Sequence, residues 1–222
     1  MKKKPLIAID GFSSTGKSSI SKIIAQKLGV IHMDTGALYR GITVYALQHF
    51  LEGNTINIPQ LIHHLSDIKL EFKSIKGHLS LFLNDTNIDP EIRAPKVAEY
   101  VSEVAKQPEI RNFLLCIQRQ IAKNGGIVMD GRDIGTVVLP QADYKFFLTA
   151  SPQERALRRY KELKENGIEA DLEEVKRNLL MRDKIDSERP ISPLKQAPDA
   201  ILIDNTHLDK KQTIALILSY LK

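Results

Sequence analysis

LIAIDGFSSTGKSSISKIIAQKL, residues 6–28, carries three signals in succession. Residues 6–9 are an apolar run without alternation, of strand length, which suits a strand buried on both faces. Residues 11–18, GFSSTGKS, fit G-x-x-x-x-G-K-[ST] at every required position. Ile20, Ile23, Ile24 and Leu28 then recur at helical spacing. A strand, a loop and a helix in this register predict a phosphate-binding turn. The glycines let backbone N–H groups turn around the phosphates, Lys17 reaches the β and γ phosphates, and the Ser18 hydroxyl reaches Mg²⁺. The helix that starts here points its positive end at the anion. Gly11, Phe12, Ser13, Ser14, Thr15, Gly16, Lys17, Ser18 and Ser19 are therefore the expected nucleotide-binding set, with Ser18 as the metal ligand. The loop alone leaves the fate of the γ-phosphate open, because GTPases, motors, transporters and kinases all use it.

Four further apolar runs resemble the first: VIHM at 30–33, IVM at 127–129, KFFL at 145–148 and AILI at 200–203. Each ends at a polar or turn residue, and helical patterns lie between them. Strands alternating with helices predict an α/β doubly wound sheet. The stretch 69–89, KLEFKSIKGHLSLFLNDTNID, alternates instead, with Gly77 and Asn84-Asp85 as turn signals. It reads as a small antiparallel insert, the alternative being edge strands of the main sheet.

At 222 residues the chain is one large domain with a core of its own. Apolar residues make up 42% and charged residues 27%, which excludes disorder. No run approaches the ~20 apolar residues of a membrane span. The single cysteine, Cys116, forms no internal disulfide, so the cytoplasm is the expected compartment. The net charge of +5 is a modest basic excess that fits a phosphate-rich small ligand.

In an open parallel sheet, ligands bind beyond the carboxyl ends of the strands. DTGALYR at 34–40 follows the second strand and offers Asp34, Tyr39 and Arg40 at one lip, with Thr35 able to cap the next helix. DGRDIGTVV at 130–138 follows the third. There Arg132 is suited to gripping a phosphate with two parallel hydrogen bonds, and Asp130 superficially resembles a Walker-B carboxylate. Later in the chain, Arg155, Arg158 and Arg159 share one helical face. Read as isolated residues, Arg155 and Arg177 belong to a solvated face. Asp186, among arginines, reads as orienting them or as accepting hydrogen bonds from a sugar or base.

These motifs together resemble bacterial cytidylate kinases. The resemblance rests on the loop at 11–18, DTGALYR at 34–40, DGRDIGTVV at 130–138, ERALRR at 154–159 and the R-D-x-x-D-x-x-R pattern at 182–189, and it covers nearly the whole chain. It implies a single domain with a five-stranded parallel core (1–34, 112–150 and 171–222). A monophosphate-binding lobe at about 35–111 would carry the insert at 69–89, and a short helical lid would lie at about 151–170. It implies transfer of a phosphoryl group from ATP to CMP or dCMP with Mg²⁺. Position by position, Thr35 matches a hydroxyl contact to the acceptor nucleotide, Tyr39 stacks beside its base, and Arg40 holds its phosphate. Ser102 reads the cytosine ring, Arg111 and Arg132 resemble acceptor-phosphate and base contacts, and Asp133 resembles a cytosine-binding carboxylate. Asp186 and Arg189 hold the sugar, and Arg182 is shared with the phosphate site. Lys17 with Arg155, Arg158 and Arg159 would neutralise the transferring group, and Asp34 would act on Mg²⁺ through water. The chain departs from the family where many members carry Pro-Ser/Ala-Gly/Ala after the first loop glycine. Phe12, Ser13 and Ser14 stand there instead.

Other readings are a kinase for UMP, AMP or a small alcohol, a nucleotide switch, and a nucleic-acid-dependent ATPase. A guanine-reading Asn-Lys-x-Asp is absent, there is no tryptophan, and aromatics are 6%, so neither a GTPase switch nor a stacking surface for nucleic acid is expected. A monomer without a nucleic-acid or membrane partner is the expectation.

Overall fold

The computed structural model describes residues 4–75 and 78–221. In chain order the elements are β1 (Leu6–Gly11), α1 (Lys17–Leu28), β2 (Ile31–Asp34), α2 (Thr35–His49), β3 (Leu51–Glu52), β4 (Thr55–Ile56), α3 (Ile58–His63), β5 (Leu70–Ile75), β6 (His78–Leu83) and β7 (Thr86–Asn87). They continue with α4 (Pro95–Ala105), α5 (Pro108–Ala122), β8 (Ile127–Asp130), β9 (Tyr144–Thr149), α6 (Pro152–Glu165), α7 (Leu172–Glu188), β10 (Ile201–Asp204) and α8 (Lys210–Tyr220). Two compact units result. One comprises the chain up to Asp34 and from Ile121 onward, and the other is Thr35–Gln120.

The first unit is built on a five-stranded parallel sheet in the order β10-β9-β1-β8-β2. All five apolar runs of the sequence are its strands. The central strand β1 is buried from Ile7 onward, and Ile9, Val128, Phe146 and Leu148 meet Ile24 of α1 and Ile217 of α8 in one core. The expectation of burial on both faces fails at the two edges: Ile31 of β2 is 47% exposed and Leu202 of β10 is 54% exposed. An edge strand has one neighbour and stands at the limit of the covering helices, so its outer side chains meet water. A second, smaller core of Ala156, Val175 and Leu179 joins α6 to α7.

The second unit contains the antiparallel insert. β5, β6 and β7 form a separate three-stranded sheet rather than edge strands of the main one. Asn84 and Asp85 both have positive φ (46° and 67°), which is what a two-residue hairpin turn with the right twist demands. The turn expected at Gly77 lies outside the described residues. Helix α2 lies on this sheet through Gly41. A Cβ there would stand 3.0 Å from Leu70 and 3.2 Å from Leu81, so the small residue sets how closely the helix and sheet approach. No helix of the described residues is long and apolar enough to cross a membrane.

Candidate active site

The parallel register brings the strand ends of the first unit to one edge. Asp34 pairs with Asp130, Ile9 with Asp130, Gly11 with Leu148, and Asp204 with Thr149. The phosphate loop leaves from the middle of that edge. Gly11 has φ 143°, and a Cβ on it would lie 2.0 Å from the Leu148 carbonyl oxygen, so only glycine lets β1 turn out beside β9. Lys17 is buried, and its Nζ donates to the Phe12 carbonyl at 2.5 Å, folding across the loop it serves. Burial, helped by Arg132, holds its pKa well below the usual lysine value, against the pull of Asp130 and Asp10.

The departures in this loop have structural counterparts. The Phe12 ring packs edge-on against Phe147 (5.8 Å between centroids) and lies under the Arg155 guanidinium (5.1 Å), so its bulk goes into loop packing. Ser14 adopts φ 58°, a left-handed conformation that favours glycine and costs a non-glycine residue about 1–2 kcal/mol. Ser13 is held at three atoms. Its N–H points to Asp183 Oδ1 (3.4 Å), its carbonyl accepts from Arg155 Nη1 (3.2 Å), and its hydroxyl oxygen accepts from Arg132 Nη2 (2.8 Å).

Asp130 belongs to the site through contacts that its place at the end of an apolar run does not reveal. Ser18 Oγ donates to Asp130 Oδ2 at 2.6 Å, and His32 Nε2 lies 2.7 Å from Asp130 Oδ1. A hydroxyl and a carboxylate side by side at the start of α1 are hard oxygen donors, the chemistry that Mg²⁺ takes from a protein.

Of the expected acceptor-binding residues, the structure gathers Arg132, Asp133, Asp186 and Arg189 into one network. Arg132 Nε donates to Asp186 Oδ2 at 2.8 Å. Arg189 lies 3.7 Å from Asp186 Oδ1 and 3.5 Å from Asp133 Oδ1, and donates from Nε to Ser192 O at 2.6 Å. Burial works to raise the Asp186 pKa, but Arg132, Arg182 and Arg189 together hold it below the usual carboxylate value. Arg132 moves the other way: burial works to lower it, and the carboxylates of Asp186, Asp183 and Asp130 together raise it. Arg182 acts electrostatically on both Asp186 and Lys17, which places it with this network.

Asp10, the last residue before Gly11, was not expected in the site. It is buried and accepts from the backbone N–H groups of Ile134 (2.8 Å) and Gly135 (2.7 Å), anchoring the π-helical turn Ile134–Val138 directly after Asp133. Burial pushes its pKa up to about 7, against those two bonds and Lys17. A carboxyl whose pKa is higher folded than unfolded binds its proton more tightly when folded. Its contribution to stability is full below the unfolded value near 3.8 and is lost as pH rises through 7. Between those limits, wild-type stability is expected to fall relative to Asp10→Asn by up to about 1.4 kcal/mol per pH unit. Urea unfolding of both proteins from pH 5 to 8 checks this, and parallel curves would remove Asp10 as the titrating group.

The arginines of α6 differ from one another. Arg155 is 4% exposed, which overturns its reading as a solvated residue. Its ion-pair partner Asp183 waits one turn before Asp186 on α7, a long-range pairing that helical spacing does not reveal. Besides Ser13 O, Arg155 donates to Asp183 Oδ2 (2.5 Å) and Ala150 O (3.0 Å). Arg158 grips Asn205 at Oδ1 (3.0 Å) and at the carbonyl oxygen (2.7 Å), and buried Asn205 in turn donates to Thr15 O at 2.9 Å. Arg159 lies half-exposed beside Glu162. Arg177 is exposed, as read. The loop is therefore braced from α6, α7 and the end of β10.

The remaining expected residues lie on the second unit. Thr35 opens α2 and is buried, Tyr39 and Arg40 follow on the same helix, and Ser102 sits half-buried on α4. Tyr39 meets Arg111 of α5, whose guanidinium stands 5.3 Å from the ring centroid and donates to Ala105 O at 3.0 Å.

Comparison with known proteins places this geometry in context. The model of a family described as Cytidylate kinase matches residues 7–222. A cytidylate kinase of Flavobacterium psychrophilum is 50% identical over 219 residues, 97% of each chain. One of Thermosipho melanesiensis is 46% identical over 216 residues, with 97% of this chain and 96% of that one covered. One of Streptococcus gordonii is 48% identical over 212 residues (95% and 93%). Among solved structures, an uncharacterised protein from Eubacterium ventriosum shares the fold with a TM-score of 0.53, over 99% of this chain and 98% of that one, at 13% identity.

Proposed function

The chain belongs to the cytidylate kinase family, and we propose that it moves the γ-phosphoryl group of ATP to CMP or dCMP, giving ADP and CDP or dCDP. An oxygen of the acceptor phosphate attacks the γ-phosphorus in line, and the bond to the β–γ bridging oxygen breaks. The attacking group is already an anion, so no strong base is needed, and catalysis is positioning plus charge stabilisation.

The observation that carries this reading is Arg132. One guanidinium joins Ser13 of the phosphate loop to Asp186 of the acceptor network, so the donor loop and the acceptor-binding residues of this unit form one hydrogen-bonded body. In this scheme Lys17 holds the β and γ oxygens, and Arg132 and Arg182 balance charge on the transferring group. Asp133, Asp186 and Arg189 take the acceptor's base and sugar. From the second unit we assign Thr35, Tyr39, Arg40, Ser102 and Arg111 to acceptor recognition. Mg²⁺ would be held by Ser18, with Asp130 as its neighbour and Asp34 through water, and it supplies charge neutralisation on the β and γ oxygens when bound. Arg155 and Arg158 keep a place in the scheme through the loop they brace, and Arg159 through its half-exposed guanidinium beside Glu162. The reading includes a cytoplasmic monomer that requires neither nucleic acid nor a membrane.

ADP release from ATP and Mg²⁺, measured with CMP, dCMP, UMP, AMP and GMP in turn, tests it. Turnover on CMP and dCMP alone is expected. Turnover on another monophosphate would keep the mechanism, with Arg132 still balancing charge, and overturn the reading of Ser102, Arg132 and Asp133 as the set that recognises cytosine.

A further inference from the structure

We infer that His32 is a positioning residue for the metal–nucleotide site, fixing the Asp130 carboxylate that in turn orients the Ser18 hydroxyl. This rests on the reading of Ser18 as the Mg²⁺ ligand. The sequence offers His32 as one polar residue inside an apolar run, VIHM at 30–33, with no role of its own.

The parallel register explains why it matters. His32 pairs with Val128, and Asp34 with Asp130. Residues 128 and 130 share a face of β8, because side chains alternate along a strand. His32 is thus the diagonal neighbour of Asp130 on that face, within reach of a long side chain. The observed distances are 2.7 Å from His32 Nε2 to Asp130 Oδ1 and 2.6 Å from Ser18 Oγ to Asp130 Oδ2. The Asp130 side chain is 3% exposed and that of His32 19%.

A carboxylate only accepts hydrogen bonds, so His32 carries its proton on Nε2 and Ser18 turns its proton toward Asp130. The lone pairs of Ser18 Oγ then face away from Asp130, where a cation is to be bound. With both oxygens engaged, the Asp130 carboxylate cannot rotate about its Cβ–Cγ bond without breaking a bond. An outer residue of this kind sets the direction of an inner ligand.

Full-length wild type, His32→Leu, His32→Asn, His32→Gln and Asp130→Asn are compared by titrating Mn²⁺ into the protein with ADP, reading bound Mn²⁺ by electron paramagnetic resonance. Thermal melts run in parallel. His32→Leu is expected to weaken Mn²⁺ binding about tenfold or more. His32→Asn, too short to reach Asp130, shows the same loss and serves should the leucine variant fold poorly. His32→Gln keeps a donor of similar reach and stays within about threefold of wild type. Wild-type affinity in the leucine and asparagine variants, or equal losses in the leucine and glutamine variants, would overturn the proposal. If Asp130→Asn weakens Mn²⁺ binding while the leucine and asparagine variants do not, only the role of His32 fails. If Asp130→Asn also binds like wild type, the metal reading of this site fails with it.

Discussion

Lys17→Ala is expected to cut kcat for ATP and CMP by roughly a hundredfold to a thousandfold, the scale of losing one preorganised charge at the reacting group. Lys17 is buried and leans on the Phe12 carbonyl, and burial with Arg132 close by disfavours its charge. Phosphate oxygens in the loop restore the reason for that charge, and they do so most where negative charge spreads during transfer. Losing the side chain removes the stabilisation without opening the hydrophobic core, because Lys17 stands at the first turn of α1. The variant should therefore melt close to wild type while losing activity. Single-turnover kinetics beside a thermal melt separate the two effects. Unchanged turnover would sink the mechanism.

Arg132→Ala should have the second large effect, on activity and stability together. Its guanidinium forks between Ser13 and Asp186, with a further bond to Gly131 O at 3.3 Å. Removing it leaves Asp186, whose side chain is 10% exposed, without the guanidinium that donates to it at 2.8 Å. Breaking one side of a buried pair costs about 3 kcal/mol, and Arg182 and Arg189 beside Asp186 limit the loss to that order. Turnover with CMP is expected to fall about a hundredfold, with KM for CMP raised. Arg132→Lys is the informative companion. A lysine keeps the charge but has no planar fork, so it cannot hold Ser13 and Asp186 at once. It should recover most of the stability and little of the activity. Full activity in Arg132→Lys would show that charge alone suffices and that the bridge has no role.

Much of this was legible from residue order. Local signals suffice for a strand, a glycine turn and a helix start, so the phosphate loop and the strands around it could be read directly. The insert at 69–89 was also legible, because alternation and the Asn84-Asp85 turn are local. What sequence alone could not display were pairs between distant segments. Asp10 reaches Ile134 and Gly135, Asn205 reaches Thr15, and Asp183 reaches Ser13 and Arg155. Each is an ordinary residue in its own neighbourhood. Helical spacing on α6 shows that Arg155 and Arg159 share a face, but not that one is buried beneath the loop and the other meets solvent.

The sequence by itself therefore determined the sheet, the phosphate loop and the residue types that line the strand ends, since periodicity and backbone stereochemistry act over a few residues. Only the tertiary structure decided who partners whom. Parallel pairing of β2 with β8 sets His32 diagonal to Asp130, and packing of α6 and α7 turns arginines into braces for the loop. Those choices depend on contacts between segments far apart in the chain, where burial makes an unpaired charge costly and so forces each one to find its partner.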